Sequence, residues 1–410
     1  MGSKYSILSR ILSQRGDMVK LVGGSFSSAP VLAPLVMKAM GGNAKVTHPS
    51  PLASSSAEID VEREEIMLRL NWLCKNIITN PQSLRYSYPD LLGDYYGPQW
   101  VIYSAMMLVA ALSNVTRIWP DTREESLKRM EKLIELLLSE ELREYDTRDW
   151  GEDALDSLMG NKSHITYLSI LAWSISLYRL AGGDARHDNL FSNLIEAINR
   201  RFLTHRNMIL LSFPNRPPFF PDMMLAIVAL KNFGQLVDDR YQTTVEMWLD
   251  KCQSEWIDRH GLIFSMIKRG RPGAVRGSYT ALNTYWMSLI EPEFAFDQYE
   301  RMKRLLLQRE PYVGIREWIR KAPHIAFDPD AGPVLFGLSP SGTAFAIGAA
   351  TAMGDWTSRR EMLLTAEALG GDVRDSTTRH YRLAEFALVG EATVLAMRTT
   401  LPELIPRLTE

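Results

Sequence analysis

Residues 161–183 read NKSHITYLSILAWSISLYRLAGG. Ile165, Leu168, Ile170, Leu171, Trp173, Ile175, Leu177 and Tyr178 recur at helical spacing and occupy most of the circumference, which predicts a helix enclosed by other helices. The polar cluster Asn161 to His164 opens it and the pair Gly182-Gly183 ends it, so an imidazole stands in the first turn of a buried helix. Taken alone, His164 reads equally well as a capping or core histidine and as a functional one. The rest of the chain decides between them.

Outward from this stretch, helical patterns with one polar face alternate with patterns that are almost wholly apolar. Ala57–Ile78, Thr122–Arg143, His187–Phe202, Asp239–Arg259, Phe294–Gln308 and Trp356–Leu369 are of the first kind. Thr122–Arg143 is typical, with Leu127, Met130, Leu133, Ile134 and Leu137 on one side and charge on the other. Pro98–Ile118, Lys162–Leu180, Pro221–Phe233, Tyr279–Ile290, Ser341–Met353 and Tyr381–Met397 are of the second kind. Six hairpins, each an outer helix plus an inner one, predict an all-α fold, the (α/α)6 barrel. An α-solenoid would require more uniform repeats and capping units. Strand signals are weak, apart from a short hairpin expected at Gly261–Ile267, where Leu262, Phe264 and Met266 alternate with their neighbours. Residues 1–56 read as an extension packed on the barrel, 57–398 as the barrel itself and 399–410 as a tail.

A chain of 410 residues with 46% apolar content can bury a large core. Its 46 Lys+Arg against 48 Asp+Glu, without long single-sign blocks, argue against a nucleic-acid or membrane-surface partner. The two cysteines, Cys74 and Cys252, lie on separate helical patterns and read as buried thiols of a reducing compartment. Met1–Met18 has no continuous apolar core of a signal peptide, and Leu21–Met40 is interrupted by Gly23, Gly24, Pro30 and Pro34. A cytoplasmic protein without a transmembrane segment is the expectation.

In a ring of hairpins all inner helices run the same way, so their first turns gather at one mouth. That mouth collects Tyr95, Tyr96 and Trp100; His164; Ser212, Phe219, Phe220 and Asp222; then Tyr279, Asn283 and Tyr285. Ordinary capping explains some polar residues at helix starts. It explains Tyr95-Tyr96, His164 and Phe219-Phe220 less well, because these are poor caps, and an apolar cavity with a few convergent polar groups describes a small-molecule site. His164 and Asp222 open neighbouring inner helices and are expected to form an acid/base pair, an apolar mouth raising the carboxyl pKa. Asp90, Asp94 and the two tyrosines are secondary candidates, whereas Tyr88, Asp149, Glu152, Asp153 and Asp156 read as loop or capping groups. No HExxH spacing or phosphate-cradling glycine loop is present, so no metal and no cofactor is expected. Asp328-Pro329-Asp330 with Gly332 is read as a turn.

From about Met159 onward the sequence resembles the linalool dehydratase/isomerase family, a group of (α/α)6 barrels acting on terpene alcohols. The resemblance is carried by Lys162-Ser163-His164-Ile165 leading into Leu177-Tyr178-Arg179-Leu180-Ala181-Gly182, by Phe213-Pro214-Asn215, by Pro272-Gly273-Ala274-Val275, and by Ala344-Phe345 with Ala352-Met353-Gly354-Asp355. It implies that His164 matches the family's active-site histidine and that Asp90 and Tyr96 match an Asp and a Tyr near the barrel start. It also implies a homo-oligomer in which a loop of one subunit closes its neighbour's pocket. Where the family carries two active-site cysteines, this chain has Ser212 and Pro221, with Asp222 next. The expected function is therefore a cofactor-independent cyclase, dehydratase or isomerase. It would act on a hydrophobic terpenoid- or polyketide-like molecule in natural-product biosynthesis, through Asp222, His164 and a tyrosine. The alternatives are a carbohydrate-active barrel, hydrolase or epimerase, whose mouth would be richer in Asp, Asn and Arg, and a non-catalytic helical scaffold.

Overall fold

The computed structural model describes residues 62–79, 93–320, 325–328, 330–385 and 387–401, with 93–99, 325 and 327 described by backbone alone. The helices are α1 Arg63–Cys74, α2 Gly93–Ile118, α3 Arg123–Leu138, α4 Glu140–Trp150, α5 Ile165–Leu180, α6 Asp188–Thr204, α7 Phe220–Leu236, α8 Gln242–Ser254, α9 Gly277–Ile290, α10 Pro292–Leu306, α11 Pro340–Ala352, α12 Trp356–Gly370 and α13 Leu388–Arg398. The apolar ones, α2, α5, α7, α9, α11 and α13, each pack on the next, and α13 returns to α2. The ring is closed.

Around it, α3, α6, α8, α10 and α12 each lie against the inner helix that precedes them, and α1 lies against α2 and α13. An outer helix buries one stripe and leaves the other in water, as in α6, where Phe191, Leu194, Ile195, Ile198 and Phe202 face inward. An inner helix is enclosed on nearly every side, as α5 is from Ile165 to Ser176. This is the all-α (α/α)6 barrel. The one described helix long and apolar enough to cross a membrane is the Trp100–Ile118 part of α2, and 78% of that window is buried in the barrel. Cys74 and Cys252 are buried free thiols, and burial pushes the Cys74 thiol up to about 11.

Four antiparallel hairpins complete the described structure: β1 Ile267–Lys268 with β2 Arg271–Pro272, β3 Leu307–Gln308 with β4 Gly314–Ile315, β5 Ile325–Asp328 with β6 Gly332–Leu335, and β7 Asp372–Arg374 with β8 Arg379–Tyr381. All lie in connections from an outer helix to the next inner one, at the end where inner helices begin. They thicken that mouth.

Three sequence expectations shift. The helix expected over Thr122–Arg143 breaks at Ser139, whose extended backbone (ψ 141°) ends α3 and whose hydroxyl caps α4 by accepting from Leu142 N at 3.4 Å. The helix expected from Tyr381 starts at Leu388, because Arg379–Tyr381 pairs with β7 and Arg382–Glu385 forms a 3-10 turn. The hairpin expected at Gly261–Ile267 turns later, at Arg269 and Gly270, which hold φ values of 52° and 71°. The expected extension over residues 1–56 and residues 402–410 of the tail lie outside the described residues.

The first and last hairpins meet in a buried ion network. Arg69 reaches Glu391 at 2.7 Å, Glu367 at 3.1 Å and Glu65 at 3.4 Å, with its guanidinium 3.9 Å from the Tyr381 ring centre. Arg398 reaches Glu62 at 2.5 Å and Glu65 at 2.8 Å, and Arg359 reaches Glu62 at 3.3 Å. Arg379 joins Glu65 at 3.2 Å and Glu367 at 3.4 Å.

Candidate functional site

His164 sits immediately before α5 in a left-handed conformation, φ 47° and ψ 20°, with its imidazole fully buried. A non-glycine residue held there costs on the order of 1–3 kcal/mol. The side chain makes no capping bond to the helix, so the capping reading of this residue fails. The backbone turn instead directs the ring against α4. Its Nδ1 lies 2.5 Å from Asp146 Oδ2, its ring centre is 5.1 Å from that of the tilted Trp150 ring, and its Nε2 has no hydrogen-bond partner among the described residues.

Both partners come from α4. Glu140 and Glu141 in the first turn, Arg148 in the last and Gly151 in left-handed conformation beyond it form and terminate this helix, and Tyr145 and Asp146 face inward. Burial raises the Asp146 carboxyl, and the imidazole opposes that rise. The loop after α4 brings Glu152 Oε1 to 3.6 Å from His164 Nε2 and ties Glu152 to Lys162 at 3.2 Å. Burial pushes Glu152 up, but Lys162 and His164 together hold it below its ordinary value. Arg201 fastens the loop from behind, donating to the carbonyls of Lys162 at 2.7 Å, Leu158 at 3.0 Å and Ser157 at 3.1 Å.

Asp222, in the first turn of α7, is likewise buried. It accepts from Tyr103 Oη at 2.7 Å on one oxygen and from Thr166 Oγ1 at 2.8 Å on the other, and Ser212 lies beside the same carboxyl. Burial raises it, against these three hydroxyls. The Tyr103 and Tyr145 hydroxyls are pushed well above the usual phenol range by burial and by neighbouring carboxylates, so both remain neutral donors at neutral pH. The Tyr145 hydroxyl is buried with no hydrogen-bond partner among the described residues. A buried polar group left unsatisfied costs about 1–3 kcal/mol.

Across the ring, Phe219 and Tyr279 form an aromatic wall with ring centres 5.6 Å apart. Arg276 stands over Tyr279 at 5.4 Å and is clamped by Glu317 and by Asp328, the latter at 2.5 Å. Glu317 also accepts from the Ser278 backbone N and hydroxyl, both at 3.0 Å, and so holds the start of α9.

The structure therefore pairs His164 with Asp146, and not with Asp222 as expected. It brings Phe219, Tyr279 and Asp222 to the mouth with Ser212, and places Trp100 beside Tyr103, ring centres 6.0 Å apart. Asn283 is buried two turns down α9, donating to Phe264 O at 3.0 Å. Phe220 is not a mouth residue: its ring packs on Trp256 and Phe264, on the outer side of α7. Tyr285 is not one either, because six residues beyond Tyr279 lie about 9 Å along the helix, and its hydroxyl meets Thr400 past the end of α13. Asp90 lies outside the described residues, and of Tyr95 and Tyr96 only the backbone, in the first turn of α2, is described. Sequence reasoning missed Tyr103, Tyr145, Asp146 and Asp330, and read Glu152 only as a loop or capping group. The Ser139-Glu140-Glu141 start and Gly151 stop are the signal that would have found α4.

No family model matches the chain, and no curated protein matches it. Solved structures similar to it include an unsaturated glucuronyl hydrolase specific for heparin, with 9% identity, 80% of this chain and 97% of that chain covered, and a TM-score of 0.47. A polysaccharide lyase is similar at 10% identity, 80% and 96% coverage and a TM-score of 0.44. So is a family 76 glycoside hydrolase from a bovine Bacteroides thetaiotaomicron strain, at 9% identity, 80% and 77% coverage and a TM-score of 0.47. The expectation of a terpenoid- or polyketide-like substrate, with its cyclase and natural-product reading, is corrected by this finding: these similar structures are carbohydrate-active hydrolases and a lyase. The physical reason is visible in the mouth. The helix starts are apolar and aromatic as read, but α4 and the hairpins bring Asp146, Glu152, Arg276, Asp328 and Asp330 into it, and these made no part of that reading.

Proposed function

We propose that this chain is a carbohydrate-active enzyme that cleaves glycosidic bonds by acid/base chemistry in the barrel mouth. The observation that carries the reading is His164: an imidazole whose Nδ1 is held by a buried carboxylate at 2.5 Å and whose Nε2 makes no hydrogen bond among the described residues, with Glu152 Oε1 3.6 Å away. A carboxylate on Nδ1 fixes the tautomer that presents a lone pair at Nε2, the arrangement of a general base. In this reading Tyr145 supplies a neutral hydrogen-bond donor for a sugar hydroxyl, and Tyr103, whose proton goes to Asp222, offers its oxygen as an acceptor. The Phe219–Tyr279 wall gives an apolar face against which a pyranose ring packs. Asp222, with both oxygens occupied, orients Tyr103. The descriptions of the similar structures agree with this substrate class.

The test is a panel of neutral and uronic-acid oligosaccharides incubated with wild type and His164→Ala, read by mass spectrometry. Cleavage by wild type, with a fall of about 100-fold or more in the variant, is the expected outcome. A folded wild type that cleaves no member of the panel, or a His164→Ala protein with full activity, sinks the reading.

A further inference from the structure

The β5–β6 hairpin brings another carboxyl to the mouth, from the side of the ring opposite α5. Its turn is rigid. Asp328 Oδ1 accepts from the backbone N of Asp330 at 2.9 Å and of Ala331 at 3.0 Å, and is ion-paired with Arg276 at 2.5 Å. The Ser341 hydroxyl donates to the Asp330 carbonyl at 2.8 Å, which ties residue 330 to the first turn of α11. The Asp330 carboxyl is hydrogen-bonded to Tyr279 of the aromatic wall, and its charge reaches Tyr103, the residue that donates to Asp222.

We propose that Asp330 is the proton donor to the leaving group, working across the mouth from His164; this rests on the glycosidic-cleavage reading above. The other carboxyls are committed. Asp146 is bound to the imidazole, Glu152 is paired with Lys162, and both oxygens of Asp222 accept hydroxyl protons. Among the described residues, the side-chain donor facing the Asp330 carboxyl is Tyr279. Burial and the charges of Asp328 and Glu317 push its carboxyl up to about 6 against Tyr279 and Arg276, so the protonated form is populated near neutrality. In the step, the proton of Asp330 passes to the glycosidic oxygen as the bond from that oxygen to the anomeric carbon breaks, and the bonding pair leaves with the oxygen. Water forms the new bond to the anomeric carbon, and His164 Nε2 takes its proton. One water is consumed, and the two protein groups exchange protons with solvent to reset.

Leaving-group dependence tests the assignment, because a nitrophenolate departs without needing a proton. Asp330→Asn is expected to lose about 10²–10⁴-fold in kcat/KM on a saccharide leaving group and less than about 10-fold on the nitrophenyl glycoside of the same sugar. In wild type, activity on the saccharide substrate falls as pH rises through about 6, since the donor is then ionised, and this limb is absent with the nitrophenyl substrate. Tyr279→Phe removes a bond that lowers the Asp330 pKa, so the limb moves to higher pH. The wild-type profiles stand even where Asp330→Asn does not fold. Equal losses on both leaving groups, no loss on either, or a limb shared by both substrates overturns the assignment. A wild type inactive on every glycoside overturns instead the functional reading beneath it.

Discussion

At the scale of single residues, the site is a set of buried polar groups whose satisfaction is incomplete. Asp146 and His164 hold one another, so Asp146→Asn keeps the volume but loses the charge that fixes the imidazole tautomer; kcat/KM is expected to fall about 10²–10⁴-fold with the fold intact. A melting curve unchanged in shape, beside that loss, separates this from unfolding. Thr166→Val tests Asp222 by removing one of its donors at constant shape. Leaving that carboxyl under-satisfied is expected to destabilise by about 1–3 kcal/mol, read as a lower urea midpoint at constant slope. His164 and Asp222 were legible in the sequence because each is a titratable residue at the start of an apolar helix. Asp146 and Asp330 were not, because they belong to insertions between an outer helix and the inner helix that follows it, and no periodicity connects an insertion to the ring it overhangs.

At the scale of elements, the loop over residues 151–163 shows how a segment without regular structure is made precise. Arg201, almost fully buried in α6, donates to Ser157, Leu158 and Lys162 carbonyls as well as to Ala197 of its own helix. Burial and the neighbouring Arg200 lower its pKa to about 10, still well above neutral pH, so the charge persists. Arg201→Ala leaves the Ser157 and Lys162 carbonyls without this donor, while Leu158 keeps Arg200, and is expected to release Glu152 from the imidazole. Faster limited proteolysis between residues 151 and 163 and a lower kcat are expected, and a loop as resistant as wild type would show that Arg200 alone holds it. The helices themselves were readable because half-polar and all-apolar segments alternate around a ring, and the alternation follows from layer position. What escaped was α4. Its charged sequence continues the polar face of α3, and the break depends on a single residue, Ser139, that leaves the helical region.

At the scale of the whole molecule, a barrel of hairpins must join its first and last units, and here the joint is ionic. Four arginines, Arg69, Arg359, Arg379 and Arg398, meet four glutamates, Glu62, Glu65, Glu367 and Glu391, so the buried charge balances. Removing one partner strands the others. Arg398→Met is expected to destabilise by about 3–5 kcal/mol, far more than the loss of a solvent-screened exposed pair such as Lys128 with Glu124. The network also gives stability a pH dependence whose sign differs between its members. Burial alone would push Glu65 up, but Arg398, Arg69 and Arg379 hold it down to about 2 from 4.5. The unfolded chain therefore takes up this proton near pH 4.5 and the folded one only near 2, so the contribution of Glu65 is present above pH 4.5 and is lost across that window. Glu367 runs the other way. Burial raises its pKa despite Arg69 and Arg398, so acid favours its folded form and offsets part of the loss. Glu367→Gln, which removes the raised group, is therefore expected to unfold at a higher pH than wild type in an acid titration followed by circular dichroism. A midpoint shifted to lower pH would show that the glutamate is a net ion-pair donor to the seam, and that the arginines outweigh burial at both positions.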